Sequence, residues 1–169
     1  MKRNGMHALD FQGPALVEGH LTYLRGAQYV NKVVALCFLP YVGLLSAGEI
    51  DRHAVRFGEV GATLLIVNSG AHPLHRLWVG QLFKPNTPIF TDINGRLHRS
   101  FGVPTVERPA RCHTLMIDRK GILRLRVAHD FVDGDLETLR KIVGLTANHR
   151  ANAEPDYEMA ANKAQYVPV

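Results

Sequence analysis

The side chains of this sequence best suited to redox chemistry are the two thiols, Cys37 and Cys112. A thiol reacts as its anion, so its surroundings must lower its pKa from about 8.5 before it becomes an effective nucleophile. Cys37 lies within an apolar run, where burial raises the pKa and blocks access, and we interpret it as a core residue. Cys112 has Arg111 and His113 as neighbours, although strand alternation directs those two side chains to the opposite face. Two alternatives stand for Cys112: a reactive thiol or a buried, inert one.

Two cysteines are too few for a disulfide framework and are typical of a cytoplasmic protein with free thiols. A disulfide between them would require Cα atoms within about 7 Å of each other. No Cys-x-x-Cys pair is present, which argues against general disulfide exchange. Of the nine histidines, His72 and His75 share a helical face without a third ligand nearby. We therefore predict no metal and no other cofactor, and we place the histidines at the surface.

The composition is that of one globular domain. The 169 residues are 46% hydrophobic and 21% charged, which suffices for a proper core. There is no apolar run of the roughly 18 residues that a membrane-spanning helix needs, and no apolar stretch typical of a signal peptide follows the first residues. The net charge of +5 comes from 20 basic residues interspersed with 15 acidic ones. That pattern indicates a solvated surface rather than a nucleic-acid partner.

Strands and helices alternate along the chain and would position the thiols. Seven consecutive apolar residues, 33–39, predict a strand buried on both faces. Ser46 and Glu49 have the spacing of a capping box, which predicts a helix that begins there and closes near Gly58 and Gly61. The later patterns predict a strand at 62–67, a helix from Pro73 to about Leu82, a strand at 89–90, a helix at 96–101, a β-hairpin at 113–127 and a last helix at about 135–143.

The two ends of the chain carry weaker signals. Residues 1–30 show only turn signals, at Gly13-Pro14 and Gly26. Residues 146–169 are polar and small, and we interpret them as a C-terminal tail or arm that docks on a partner subunit, beyond a domain at 1–145. The order of elements between the ends predicts an α/β sandwich with a mixed sheet.

Five stretches in this order carry family-like patterns: Val33–Pro40 ("vvLfFyP"), Ser46–Ile50 ("C-x-x-E-[LI]"), Ala62–Ser69 ("a.vigvSs"), Asp92–Val103 ("D.dg.va.ayGv") and Thr114–Arg124 ("tFiIDrdGkir"). Together they resemble the peroxiredoxin family, the alkyl hydroperoxide reductase/thiol-specific antioxidant proteins. The resemblance covers about residues 10–145. It implies a thioredoxin-like three-layer sandwich with a mixed central sheet, an antioxidant oxidoreductase activity on a peroxide or thiol substrate, and a cytoplasmic homodimer.

The resemblance also implies a reactive cysteine at the start of the first long helix, where this chain has Ser46. Gly43 stands at the family's threonine position, and Cys112, beside Arg111, stands at its arginine position. Pro40 is one residue closer to position 46 than in the family. A serine hydroxyl is far less acidic than a thiol and has no comparable sulfenic acid chemistry, so serine cannot replace cysteine in peroxide reduction.

Two explanations of Ser46 remain open: a deliberate substitution or a native loss of the thiol, which Gly43 and the shortened loop favour. Two functions remain open as well. The first is a divergent thiol oxidoreductase that uses Cys112, or a cysteine that Ser46 replaced. The second is a redox-inactive binding or scaffold protein. The candidate site consists of Ser46, Cys112 and Arg111, with the pocket residues Pro40, Tyr41, Gly43 and Glu49.

Overall fold

The computed structural model describes residues 1–40, 47–68, 86–105, 111–130 and 133–148. Within these ranges the strands are β1 (Gln12–Val17), β2 (His20–Arg25), β3 (Val33–Leu39), β4 (Ala62–Asn68), β5 (Ile89–Thr91), β6 (Cys112–Ile117) and β7 (Leu123–His129). The α-helices are α1 (Ala47–Glu59), α2 (Arg96–Phe101) and α3 (Asp133–Asn148), and a 3-10 helix spans Gly26–Tyr29. None of the described helices is long and apolar enough to cross a membrane.

The strands of the described ranges form one sheet in the order β2-β1-β5-β4-β3-β6-β7. β4 pairs in parallel with both β3 and β5, whereas the pairs β1–β2, β1–β5, β3–β6 and β6–β7 are antiparallel. The predicted mixed sheet is therefore confirmed. The central position of β3 explains its continuous apolar run, since every one of its residues is buried.

Strand alternation divides the core of the described residues into two clusters on opposite faces of the sheet. One face packs against α1 and α3, through Ile50, Phe57, Leu139 and Val143 among others. The other face packs against α2 and the N-terminal segment, through Leu97, Phe101 and Leu9 among others. A sheet covered on both faces is the predicted three-layer α/β sandwich.

Two carboxylates attach helices to the rest of the domain. Asp51 of α1 accepts hydrogen bonds from the backbone amides of Asn86 and Thr87, at 3.0 and 2.9 Å, and from both of their side chains. Asp92, after β5, accepts from the amides of Leu97 and His98, at 3.0 and 2.9 Å, in the first turn of α2. α2 ends at Gly102, whose φ of 66° lies in the left-handed region that glycine adopts without strain.

Of the N-terminal turn signals, Gly26 begins the 3-10 helix, but the prediction of a turn at Gly13-Pro14 is wrong. Gly13 and Pro14 lie inside β1 rather than in a turn, and the chain reverses at Glu18 and Gly19, which have φ values of 51° and 80°. Most of β2 is exposed, so it lacks the alternation of apolar and polar residues that identifies a half-buried strand.

The later predictions are confirmed where the structure describes them: the strands β3, β4 and β5, the helices α1 and α2, and the hairpin β6–β7. The last helix begins two residues earlier than predicted and continues to Asn148, into the range assigned to the tail. The helix predicted from Pro73 and the chain from 149 to 169 lie outside the described residues.

Candidate active site

The two cysteines lie on the face of the sheet that packs against α1 and α3. In the antiparallel register Cys37 of β3 is opposite Thr114 of β6, and Cys112 is opposite His129 of β7. Directly paired residues share a face, as do residues two apart on one strand. The register therefore brings Cys37, Cys112, Thr114 and His129 together. Cys112 is also near the end of β3, as the sequence predicts.

All four side chains of this thiol cluster are buried. Cys37 is 1% exposed and Cys112 is 4% exposed. Both cysteines are free thiols, and a hydrogen bond joins their side chains. The cluster therefore places the two thiols as diagonal neighbours on adjacent strands of one face, close enough to share a hydrogen bond.

His129 is held by hydrogen bonds at both ring nitrogens. Its Nδ1 lies 2.7 Å from the backbone carbonyl of Asp130, and its Nε2 lies 2.8 Å from the Thr114 hydroxyl. A carbonyl oxygen can only accept, so Nδ1 carries a proton and Nε2 is the nitrogen that gains or loses one. The titrating nitrogen therefore faces the hydroxyl beside Cys37.

The thiol pKa values move apart because the two sulfurs share a proton. The hydrogen bond from Cys112 lowers the pKa of Cys37 most, burial opposes it, and hydrogen bonds with His129 and Thr114 lower it further. The same hydrogen bond, with burial and the charge of Cys37, raises the pKa of Cys112. The pair thus loses its first proton readily and retains its second. Burial does raise the pKa of Cys37, as predicted, but the hydrogen bonds of its neighbours outweigh burial.

The pKa of His129 is shifted in the complementary direction. Burial alone would lower it, but the hydrogen bond with Cys37 and the charge on that sulfur outweigh burial and raise the pKa. Opposite shifts of this kind are expected for a thiolate and an imidazolium that stabilise each other. A cysteine activated by a histidine is a common arrangement in nucleophilic catalysis.

The structure describes some of the residues predicted for the site. Arg111 is half-buried and donates to the carbonyl of Ala128 at 3.3 Å. Pro40 follows β3 directly, and Glu49 lies in the first turn of α1, both half-buried. Tyr41, Gly43 and Ser46 lie outside the described residues, and so do His72 and His75.

Thr114 and His129 are the residues that the sequence did not predict for the site. The β-hairpin was recognised, but its second strand was expected to end at Val127, whereas β7 continues to His129. The sequence carries no signal for this pairing, because placing His129 opposite Cys112 also requires the register shift between Met116 and Ile117.

Surface histidines were also predicted, but four of the histidines whose burial the structure describes are buried: His53, His98, His113 and His129. Among the residues that the structure describes, no group of three or more His, Cys, Asp or Glu side chains is arranged to hold a metal ion.

No family model matches the chain, but its sequence is similar to those of known proteins. Over 141 residues it is 30% identical to Peroxiredoxin-2 of Cricetulus griseus, which covers 77% of this chain and 71% of that protein. Over 143 residues it is 29% identical to Peroxiredoxin-2 of Pongo abelii, with 78% and 81% covered.

Solved structures show the same fold. The reduced 2-Cys peroxiredoxin of Plasmodium vivax superposes with a TM-score of 0.63 at 15% identity, covering 85% of this chain and 96% of that one. AhpC of Enterococcus faecalis also has a TM-score of 0.63, at 18% identity, with 92% and 100% covered. A thiol:disulfide interchange protein DsbE of Chlorobium tepidum, described as putative, has a TM-score of 0.56 at 16% identity, with 86% and 99% covered. The fold is thioredoxin-like, and the chain belongs to the peroxiredoxin family as a divergent member.

Proposed function

We propose that this protein is a thiol-dependent peroxide reductase whose reactive centre is the Cys37–Cys112 pair rather than position 46. The observation that carries this proposal is the register, which places the two thiols on one face of adjacent strands beside Thr114 and His129. Membership of the peroxiredoxin family supports the antioxidant class of activity. Ser46 provides no thiol, so the chemistry needs another cysteine, and this chain contains only these two.

The proposed reaction is a two-electron oxidation of the pair. A thiolate attacks one peroxide oxygen, the O–O bond breaks, and a sulfenic acid forms while the other oxygen leaves as water or an alcohol after taking a proton. The second thiol then attacks the sulfenic sulfur, an S–S bond forms, and the hydroxyl leaves as water. A thiol reductant, such as a small-molecule thiol or a dithiol protein, returns the disulfide to two thiols.

Cys112 is proposed as the sulfur that peroxide reaches first. It is the less buried of the two, and it begins β6 whereas Cys37 lies within β3. The low first pKa belongs to the pair, because the proton in the S–H···S hydrogen bond can move between the sulfurs. When it moves to Cys37, the thiolate is on Cys112 and the remaining thiol is already in contact with the new sulfenic acid.

The geometry indicates a disulfide that forms with strain. Cys37 and Cys112 are diagonal neighbours on adjacent strands, and such positions have Cα atoms about 7–8 Å apart. A relaxed disulfide needs less than about 7 Å. A bond that strains the sheet is easily reduced, which suits a centre that must be regenerated in every cycle.

The proposal includes the finer expectations of the family resemblance: a peroxide or thiol substrate, a homodimer and a cytoplasmic location. Light scattering measures the dimer. A monomer at micromolar concentration would contradict the proposed homodimer. The thiol chemistry is tested separately, by the reaction with peroxide.

The competing function is a redox-inactive family member that binds a ligand or a partner. The observation in its favour is the deep burial of both sulfurs, since buried cysteines are commonly inert.

Stopped-flow mixing of the reduced protein with hydrogen peroxide separates the two functions. We expect the loss of two thiols for each peroxide and an intramolecular disulfide in the peptide map. Cys112→Ser should abolish the reaction, whereas Cys37→Ser should accumulate a sulfenic acid that a 1,3-dione traps. Val55→Ser, at an exposed site on α1, is the matched control and should react like the parent. Retention of both thiols in the parent protein would establish the redox-inactive function instead.

A further inference from the structure

The residues around the thiol pair can supply and accept the protons that its reaction with a peroxide requires. Nδ1 of His129 donates to the Asp130 carbonyl, which leaves Nε2 to exchange protons, and Nε2 lies 2.8 Å from the Thr114 hydroxyl. A hydroxyl can accept one hydrogen bond while it donates another. Thr114 is opposite Cys37 in the sheet, and both its hydroxyl and the imidazole of His129 hydrogen-bond with the Cys37 thiol.

Because the site is buried, a proton donor within the protein matters more than it would at the surface. Thr114 is 1% exposed and His129 is 3% exposed, so water has little access to the thiol cluster from this side. An anionic oxygen that leaves a peroxide in such a place needs a proton from the protein. A histidine is the side chain whose unperturbed pKa best suits donation near neutral pH.

We propose that His129 is the acid–base residue of the thiol pair and that Thr114 is the residue that positions it. The proposal rests on the redox function proposed above. When a thiolate attacks a peroxide, the imidazolium gives its Nε2 proton to the leaving oxygen. The neutral imidazole then takes the proton of the second thiol as that sulfur attacks the sulfenic acid. The proton passes on to the departing hydroxyl, which leaves as water and closes the balance.

The charges around His129 favour the protonated ring. Asp130 and Asp135 are nearby acidic residues, and Asp135 of α3 accepts a hydrogen bond from the Asp130 amide at 3.0 Å. From the other strands the ring faces Cys37 and Cys112, and Arg111 donates to the carbonyl of Ala128, the residue before His129. The Asp130 carbonyl, the Asp135 carboxylate and a thiolate on Cys37 stabilise an imidazolium, in agreement with the raised pKa of His129.

The test is a pH titration of the thiolate by its absorbance near 240 nm, together with the peroxide reaction. Asparagine retains hydrogen-bonding groups but does not titrate, so His129→Asn should raise the midpoint by about one pH unit or more. It should also slow the peroxide reaction at neutral pH by about 100-fold, a usual size for a lost general acid. Thr114→Val should produce a smaller change in the same direction, and Thr114→Ser should behave like the parent because it retains the hydroxyl.

The control is His98→Asn, which changes a buried histidine on the opposite face of the sheet and should leave the thiolate midpoint unchanged. Urea denaturation verifies that each variant is folded. If His129→Asn fails to fold, the Thr114→Val and Thr114→Ser pair carries the test.

The two proposals fail differently. Parent-like thiolate titration and peroxide rate in both His129→Asn and Thr114→Val would overturn the role of His129 while leaving the redox function intact. A parent protein that consumes no peroxide overturns both proposals.

Discussion

Two buried histidines lie on opposite faces of the sheet, each beside a neighbouring residue of β3. Cys37 faces the side of His129, and Phe38 faces His98, whose ring it meets edge-on at 4.9 Å between centroids. His98 donates through Nδ1 to the carboxylate of Asp92 at 2.7 Å. His129 instead hydrogen-bonds with the Thr114 hydroxyl and the Cys37 thiol. The two histidines differ little in burial, so their partners decide what each can do.

The Asp92–His98 pair stabilises the fold. The carboxylate already accepts from the ring and from two amides of α2, so it attaches that helix to the end of β5. The thiol cluster offers a sulfur that ionises and a ring that exchanges protons. A carboxylate fully occupied by donors stabilises a fold, whereas a thiol with shared protons can react.

The largest predicted effect is the loss of stability when the Asp92 carboxylate is removed. Asp92→Ala leaves the His98 ring and two amides without their acceptor, so we expect a loss of about 2–4 kcal/mol in the free energy of unfolding. Urea denaturation measures it. The thiolate absorbance should stay unchanged, because Asp92 lies on the opposite face. A parallel loss of the thiolate signal in the folded protein would show that the two faces are coupled.

A second prediction concerns the stability of the protein at acidic pH. Burial alone would raise the pKa of Asp92, but hydrogen bonds from His98 and the amides outweigh it and lower the pKa. A carboxyl group with a lowered folded pKa stabilises the protein above its unfolded value, near about 3.9, and this contribution disappears as the pH falls through the folded pKa. Asp92→Asn does not titrate, so its deficit relative to the parent should shrink by roughly 1–2 kcal/mol in that window. Urea melts at a series of pH values measure this deficit, and a constant deficit would contradict the assignment.

The smallest effect concerns access to the thiols. Asp51 attaches α1 to residues 86–87, and α1 covers the face with the cysteines. Asp51→Asn replaces an acceptor oxygen by a donor, and we expect a loss of about 1 kcal/mol. If the thiols become accessible by local opening of α1, alkylation by iodoacetamide should accelerate about fivefold. Val55→Ser is the control. Reduced stability with an unchanged alkylation rate would show that reagents reach the thiols by another route.

Much of the fold was predictable because its signals are local. β3 and β4 are unbroken apolar runs, α1 has its buried Ile50 and Phe57 at helical spacing, and α2 ends at a glycine that the left-handed backbone requires. β1 and β2 were missed because the exposed face of β2 carries no alternation and Pro14 resembles a turn signal.

The candidate site was predictable only in part. Antiparallel pairing of β3 with the strand after residue 111 brings Cys112 to the end of β3, and the sequence was sufficient for that. The contact between sulfurs was not predictable, because it depends on the register that places Cys37 opposite Thr114. His129 was hidden by a register shift in the hairpin near Met116 and Ile117, which changes the pairing without a sequence signal.

By itself the sequence determined the layers, the order of the main elements and the absence of a thiol at position 46, since these depend on residue types and their periodicity. The tertiary structure decided which side chains meet: a thiol beside a second thiol and His129 on one face, and a carboxylate beside His98 on the other. The physical reason is that the pKa of a buried group depends on its partners a few ångströms away, and strand register sets those partners.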